Sequence, residues 1–588
     1  MMSLEQRTWN SVSFENCLGE HAICSNFASH KNCHMHKPII YQMLPRLWGN
    51  SHERPVRNGS LKENGTGKFS DIDEETLEYL KWLGCSHVWY TGIIRHSTKE
   101  SAEGCMPSHP QFVKGNAGSP YAICDYYDVN PYLADNAADR MNEFKDLINR
   151  THEAGLKVII DFVPNHVSRD YGRINPTPGH PVLGAEDDKT THWKPENDFF
   201  YYVGHALTLP TDVPEGMEPY HEYPAMATGN NCYTPSPGIN DWYETVKINY
   251  GDTYGVTWEK MYDIIEFWAS QGVDGFRCDM VELVPPEFFK WLISRIKEKY
   301  PELIFIAEVY KKDLYEKYIR EIGFDFLYDK SGLYDTLRSI TEKNVNDNGM
   351  PVELWQSTNG ITRNWQFLSD LQPYMLNFLE NHDEQRFASD YFGRSAANTF
   401  APLYVSLFMN TAPFMIYFGE EVGEAGMDEE GFSGKDGRTT IFDWWSISSI
   451  RRLREAIRSG AYKTSDKGKL IEAGMHEDEA EIFCRFSSAI RYAASDTAVR
   501  MGTTYDLCYC NISSDGFDKD RHFMFLRDHE DHTILFVANF SQTPASIKAV
   551  IPEHAFEWMG IPITEDLYPG KVIDVEVPPM DGAAITLI

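Results

Sequence analysis

From Ile39 to Glu421 short apolar runs that end in polar or charged residues alternate with amphipathic stretches at helical spacing, and this alternation constrains the fold more than any other feature. The runs are IIYQ (39–42), HVWYT (87–91), VIIDFVPNH (158–166), GFRCDM (275–280), LIFIAEV (303–309), FDFLYD (324–329), MLNFLENHD (375–383) and PFMIYFGEE (413–421). Between them lie segments such as DRMNEFKDLINRTHEAGL (139–156), apolar near helical spacing with Gly155 at its end. Eight strands alternating with helices predict an α/β chain closed into a (β/α)8 TIM barrel.

The spacing is uneven after the third run. Residues 167–274 are rich in Pro, Gly, His and aromatics and too many for one crossover, so an inserted subdomain is expected over about 167–255. After Leu470 the texture changes to short β-like runs separated by turn residues: EIFCRF, RHFMFLRD, HTILFVANFS, ASIKAVIP, VIDVEV and AAITLI. These predict a C-terminal antiparallel β-sandwich over 471–588, with the catalytic barrel over 38–470. Residues 1–37 are polar and poorly periodic, as expected of a loosely ordered extension. Their Cys17, His21, Cys24, His30, Cys33, His34 and His36 match no common zinc-ligand spacing.

A formal charge of −33 over 588 residues argues against nucleic acid or an anionic membrane surface as partner. The 11 cysteines are odd in number and irregularly spaced, which favours free thiols in a reducing compartment. The first residues lack the basic start and apolar run of a signal peptide, and no stretch approaches 18 consecutive apolar residues. A cytoplasmic protein with no membrane span is the expectation, and nothing in the chain specifies an oligomeric state.

Chemistry in such barrels gathers where strands end, and three acids fall there: Asp279, Glu308 and Asp383. A single strand-end carboxylate is more often a supporting or solvated group than a catalytic one, but these three converge on one mouth. Residues two apart in an extended chain share a face, so Arg277 points with Asp279 and would hold that acid ionised. Two carboxylates flanking a glycosidic bond are the minimal equipment of a retaining glycosidase, one attacking the anomeric carbon and one protonating the leaving oxygen. The second, Glu308, then has to keep its proton.

The ordered set DFVPNH (161–166), GFRCDM (275–280), AEVY (307–310) and FLENHD (378–383) resembles the four short regions of the α-amylase family, glycoside hydrolase family 13, over about Ile39 to Ile588. The resemblance implies Asp279 as nucleophile, Glu308 as acid/base and Asp383 as the acid that binds sugar hydroxyls. It further implies sugar or nucleophile contacts for Arg277, His166 and His382, and stacking beneath the sugar for Tyr121, whose alternative is a core or rim aromatic. Asp161 is expected to be structural, bonding to Arg277, and Glu420 and Glu421 to support the site from behind or to anchor loops, not to act directly. No cofactor is needed for the chemistry; Asn165 matches a position that binds structural calcium in many members.

Three features depart from the family's common patterns. Glu282 and Leu283 stand where many starch-cleaving members carry a basic pair, Ala122 follows the stacking Tyr where exo-acting members have Asp, and WYETVKINYG (242–251) is not a common substrate-sorting form. In that last segment Trp242, Tyr243 and Tyr250 are candidates either for lining the cleft or for packing the insert. The expected activity is that of a retaining α-glycoside hydrolase on α-glucans or malto-oligosaccharides. A transglycosylase with the same residues and a non-catalytic sugar-binding homologue are the alternatives.

Overall fold

The computed structural model describes residues 37–588 apart from 174–175, 348 and 465. The expected extension with its Cys and His residues therefore lies, up to residue 36, outside the described residues. Lys37 is buried at the start of the fold and its ammonium donates to the carbonyls of Asn410 (2.9 Å) and Ala412 (2.6 Å).

Eight parallel strands close into a barrel: β1 (Ile39–Met43), β2 (His87–Tyr90), β3 (Lys157–Phe162), β4 (Gly275–Cys278), β5 (Ile304–Ala307), β6 (Phe326–Tyr328), β7 (Met375–Phe378) and β8 (Phe414–Tyr417). Each falls within or against one of the eight runs seen in the sequence. Pairing of Ile39 with Phe414 closes the ring. Around β4 the register sets Arg277 beside Asp161 on one side and Ile306 on the other. Apolar side chains including Ile40, Trp89, Ile159, Ile306, Leu376 and Met415 fill the barrel as one buried cluster. Strands buried on both faces read as continuous apolar runs, which is why the charged residues at their ends stand out.

Two excursions build the rim above the C-terminal ends. After β2 the chain forms an antiparallel ribbon, Ile94–His96 with Ile123–Val129, and Tyr121 sits in the turn that leads into its second strand. After β3 an irregular segment carries two small antiparallel pairs, His166–Ser168 with Thr245–Lys247 and Tyr201–Tyr202 with Ala225–Met226, before the helix Val256–Ser270 returns to β4.

The C-terminal region has two antiparallel layers. One contains β9 (Thr503–Asp506), β10 (His522–His529), β11 (His532–Asn539) and β14 (Asp581–Thr586); the other pairs β12 (Ala545–Val550) with β13 (Val572–Val577). Leu526, Leu535, Val537, Ile547, Val575 and Ile585 belong to the core between them. One strand expected from the sequence is absent: EIFCRF lies inside the helix Glu477–Ser495, which buries Ile482, Phe483, Phe486 and Ile490 at helical spacing. The antiparallel layers thus begin at Thr503, and residues 471–501 are largely helical. Phe408 of the helix Phe400–Phe408 stacks on Phe536 of β11 at 4.7 Å, fastening the two regions.

Candidate active site

Arg277, the third residue of β4, is fully buried and gathers the acids of three strands. Its Nη1 lies 2.7 Å from Asp279 and 3.7 Å from Asp161 of β3, and its Nη2 lies 3.0 Å from Glu308, just past β5. The rings of Trp89, Tyr121 and Tyr328 surround the guanidinium, with centroids 5.4–5.7 Å from its carbon. The expectation of an Arg277–Asp161 contact is thus met by proximity. The same guanidinium also reaches Glu308, a contact not anticipated from the sequence.

Asp279 follows β4 directly, its N–H donating to the Phe162 carbonyl at 2.9 Å, so the sheet hydrogen bonding continues through it. Burial pushes its carboxyl well up, Arg277 pulls it down and Glu308 pushes it up again. The next residue, Met280, takes a left-handed conformation with φ +46°, an arrangement costing a non-glycine residue about 1 kcal/mol. That turn aims the Met280 N–H at Glu308, which accepts it at 2.8 Å. The other Glu308 oxygen accepts the hydroxyl of Tyr310. Burial and the Glu308 charge push that hydroxyl up, so Tyr310 stays a donor.

The opposite wall comes from β1, β3 and β7. The Tyr121 hydroxyl donates to Asp161 at 3.2 Å and meets His382 Nε2 at 2.6 Å. His382 Nδ1 meets the side-chain amide of Gln42 at 2.8 Å, and its Nε2 lies 3.2 Å from Asp383. Burial and Arg277 draw the His382 ring well below the usual histidine range, so the imidazole is neutral. Asp161, which also accepts the Trp89 indole N–H at 3.0 Å, is raised by burial to about 6. The protein surrounding the mouth also raises Asp383, although its side chain is partly exposed, and Arg277 draws it down. The Asp383 side chain is 43% exposed while that of Asp279 is 9% exposed, so Asp383 looks into the mouth and Asp279 forms its floor.

His166 packs its ring against Trp242 at 5.3 Å, and burial draws its pKa down to about 3. Tyr243 and Tyr250 are buried in the packing of the insert, Tyr250 donating to the Pro164 carbonyl at 2.7 Å. Asn165 is fully buried; its amide donates to the Gly229 carbonyl at 2.9 Å and its oxygen accepts the amine of Lys247. Burial draws that amine down to about 7. Glu421 stands away from this cluster, accepting the hydroxyls of Tyr41 (2.6 Å) and Tyr79 (2.9 Å) and the Gly419 N–H (2.9 Å), a loop anchor as expected. Glu420 accepts the Tyr417 N–H at 3.1 Å.

The structure therefore brings Asp279, Glu308, Asp383, Tyr121, Arg277 and His382 into one contact network, with His166 against Trp242 beside it. It adds Gln42, Trp89, Tyr310 and Glu282, none of them singled out as a contact in the sequence. Gln42 could have been found by the rule that exposed the acids, since it is the polar end of the first run. Glu282 could not, because it acts on a backbone 28 residues away.

Residues 42–457 match the alpha-amylase catalytic domain model. The chain is 21% identical over 464 residues to a cyclomaltodextrinase from a Bacillus species, covering 75% of this chain and 71% of that one. It is 23% identical to an alpha-1,4-glucan:maltose-1-phosphate maltosyltransferase from Cereibacter sphaeroides, over 51% of this chain and only 42% of the relative. The fold is similar to that of a maltogenic alpha-amylase from Thermotoga neapolitana, with TM-score 0.54, 20% identity, and 93% and 96% of the two chains covered. No helix among the described residues is long and apolar enough to cross a membrane.

Proposed function

The chain belongs to the alpha-amylase family, and from that premise we propose that it is a retaining α-glycoside hydrolase acting on α-glucans or malto-oligosaccharides. Asp279 attacks the anomeric carbon, the bond from that carbon to the leaving oxygen breaks, and Glu308 gives that oxygen its proton. Glu308, now a carboxylate, takes a proton from an incoming water whose oxygen displaces Asp279. Two inversions leave the configuration unchanged.

The observation that carries this reading is the placement of Asp279 and Glu308 on adjacent nitrogens of one buried guanidinium. Two carboxylates against one guanidinium are near neighbours, and double displacement needs a close pair, roughly 5 Å apart. Arg277 can favour whichever of the two is ionised at each step. Asp383, His382, Tyr121 and His166 then bind the sugar at the cleavage point, with the half-exposed Asp383 taking its hydroxyls.

The same pair can pass the glycosyl group to a sugar hydroxyl in place of water, and the likeness to a maltosyltransferase keeps transfer as the second reading. The free cysteines of the described residues support a reducing, cytoplasmic setting. The test is a product time course on maltoheptaose, with anomer-resolved NMR, for wild type and Asp279→Asn. Initial α-anomers that disappear in the variant are expected, and products longer than the substrate identify transfer. Initial β-anomers, or an Asp279→Asn enzyme of normal rate, would refute the mechanism.

A further inference from the structure

Asn165 is the position at which the family resemblance implies a structural calcium, and the oxygens around it decide whether one fits. Calcium takes roughly six to eight oxygen ligands, carboxylates prominent among them. Asn165 Oδ1 and the Leu283 carbonyl are the oxygens turned to this point, and both accept from the Lys247 amine, Leu283 at 2.7 Å. The Asn165 amide is committed to Gly229, which fixes Oδ1 toward the lysine.

The buried carboxylates of the insert have partners of their own: Asp198 holds Lys260 and Thr257, Glu222 holds Arg169, Glu244 holds Lys114, and Asp170 accepts the hydroxyls of Ser108 and Ser168. Among the described residues no three His, Cys, Asp or Glu gather where a metal could sit. Lys247 is itself 6% exposed and belongs to a strand paired with His166–Ser168, so its stem has little freedom to withdraw.

We propose that Lys247 takes the place of the calcium. Its amine is a tethered substitute that joins three pieces of chain: the residues just past β3, the insert strand Thr245–Lys247, and the turn after β4 that follows Asp279. A lysine amine has N–H groups for both oxygens whether or not it carries its third proton, so the seat is filled in either state. The rim of the mouth is thereby assembled by the chain alone, and the arrangement does not depend on which glycoside the enzyme cleaves.

The experiment is thermal unfolding of the full chain in EDTA and in excess calcium, with metal content measured after expression in calcium-supplemented medium. The two midpoints are expected to agree within about 1 °C, because a folded chain with no calcium site gains nothing from calcium, and calcium should be far below one per chain. One retained calcium per chain, or a midpoint that falls in EDTA, overturns the proposal. Lys247→Met keeps the stem and removes the donors, leaving the buried Asn165 Oδ1 and the part-buried Leu283 carbonyl without that partner. It is expected to melt several degrees below wild type; an unchanged midpoint would also overturn the proposal. If that variant does not fold, the wild-type measurements decide alone.

Discussion

Glu282 accepts the backbone N–H of Tyr310 at 2.6 Å, so the turn after β4 holds the loop after β5. The same oxygen accepts the Lys311 N–H at 2.6 Å, and the Tyr310 hydroxyl goes on to Glu308. The residue that departs from the family's common basic pair thus steadies the proposed acid/base at one remove.

Tyr310→Phe keeps the ring and deletes one donor to Glu308. Turnover of malto-oligosaccharides is expected to fall about tenfold, the effect of losing one hydrogen bond to a charged group worth ~1.5 kcal/mol. Aryl glycosides whose leaving group needs no proton should lose much less. Rates on the two substrate classes, compared side by side, check this; equal losses would assign Tyr310 to sugar binding instead.

A second expectation concerns acid stability. Burial holds His166 at a pKa of about 3, against about 6.5 in the unfolded chain. Between those values the unfolded chain binds a proton that the folded chain does not, so stability is lost as pH falls through 6.5 towards 3. Above about pH 6.5 neither state carries it and the contribution is constant. Denaturant unfolding of wild type and His166→Gln should therefore show the wild type losing more stability on acidification, by up to a few kcal/mol. Parallel stability curves would show that the ring titrates normally.

Gly229 supplies a third. A Cβ there would lie 2.8 Å from the His166 Cβ and 2.7 Å from the Thr245 hydroxyl, both in packed surroundings. Gly229→Ala is expected to displace His166, lowering both Tm and turnover. At Gly238 the nearest contact of an added Cβ is a carboxylate oxygen of Asp241 at 3.4 Å, an ordinary van der Waals distance, so Gly238→Ala should leave both unchanged. Calorimetry and steady-state kinetics on the two variants make the comparison.

The barrel was legible because its strands are buried on both faces, and polar residues such as Gln42, Asp161 and Asp279 break those runs only where the strands end. The helix holding EIFCRF was not, because a six-residue apolar run fits a strand or a helix equally, and the decisive periodicity continues to Ile490 and Ala493. The acids were visible one by one. What holds them was not: the Arg277–Glu308 pair depends on how far β5 is staggered against β4, and Lys247 meets Asn165 only because the insert folds back on the strand that precedes it. Sequence periodicity reports burial along an element; it carries no record of which loop a side chain reaches.

One guanidinium stands against three carboxyl groups at the base of the mouth, and Asp383 looks in beside them next to His382. The cavity floor is therefore short of positive charge. A neutral sugar chair does nothing to relieve that deficit, whereas a ring flattening towards an oxocarbenium ion brings the missing charge with it. The protein's own electrostatic imbalance becomes a preference for the fleeting species over the resting one.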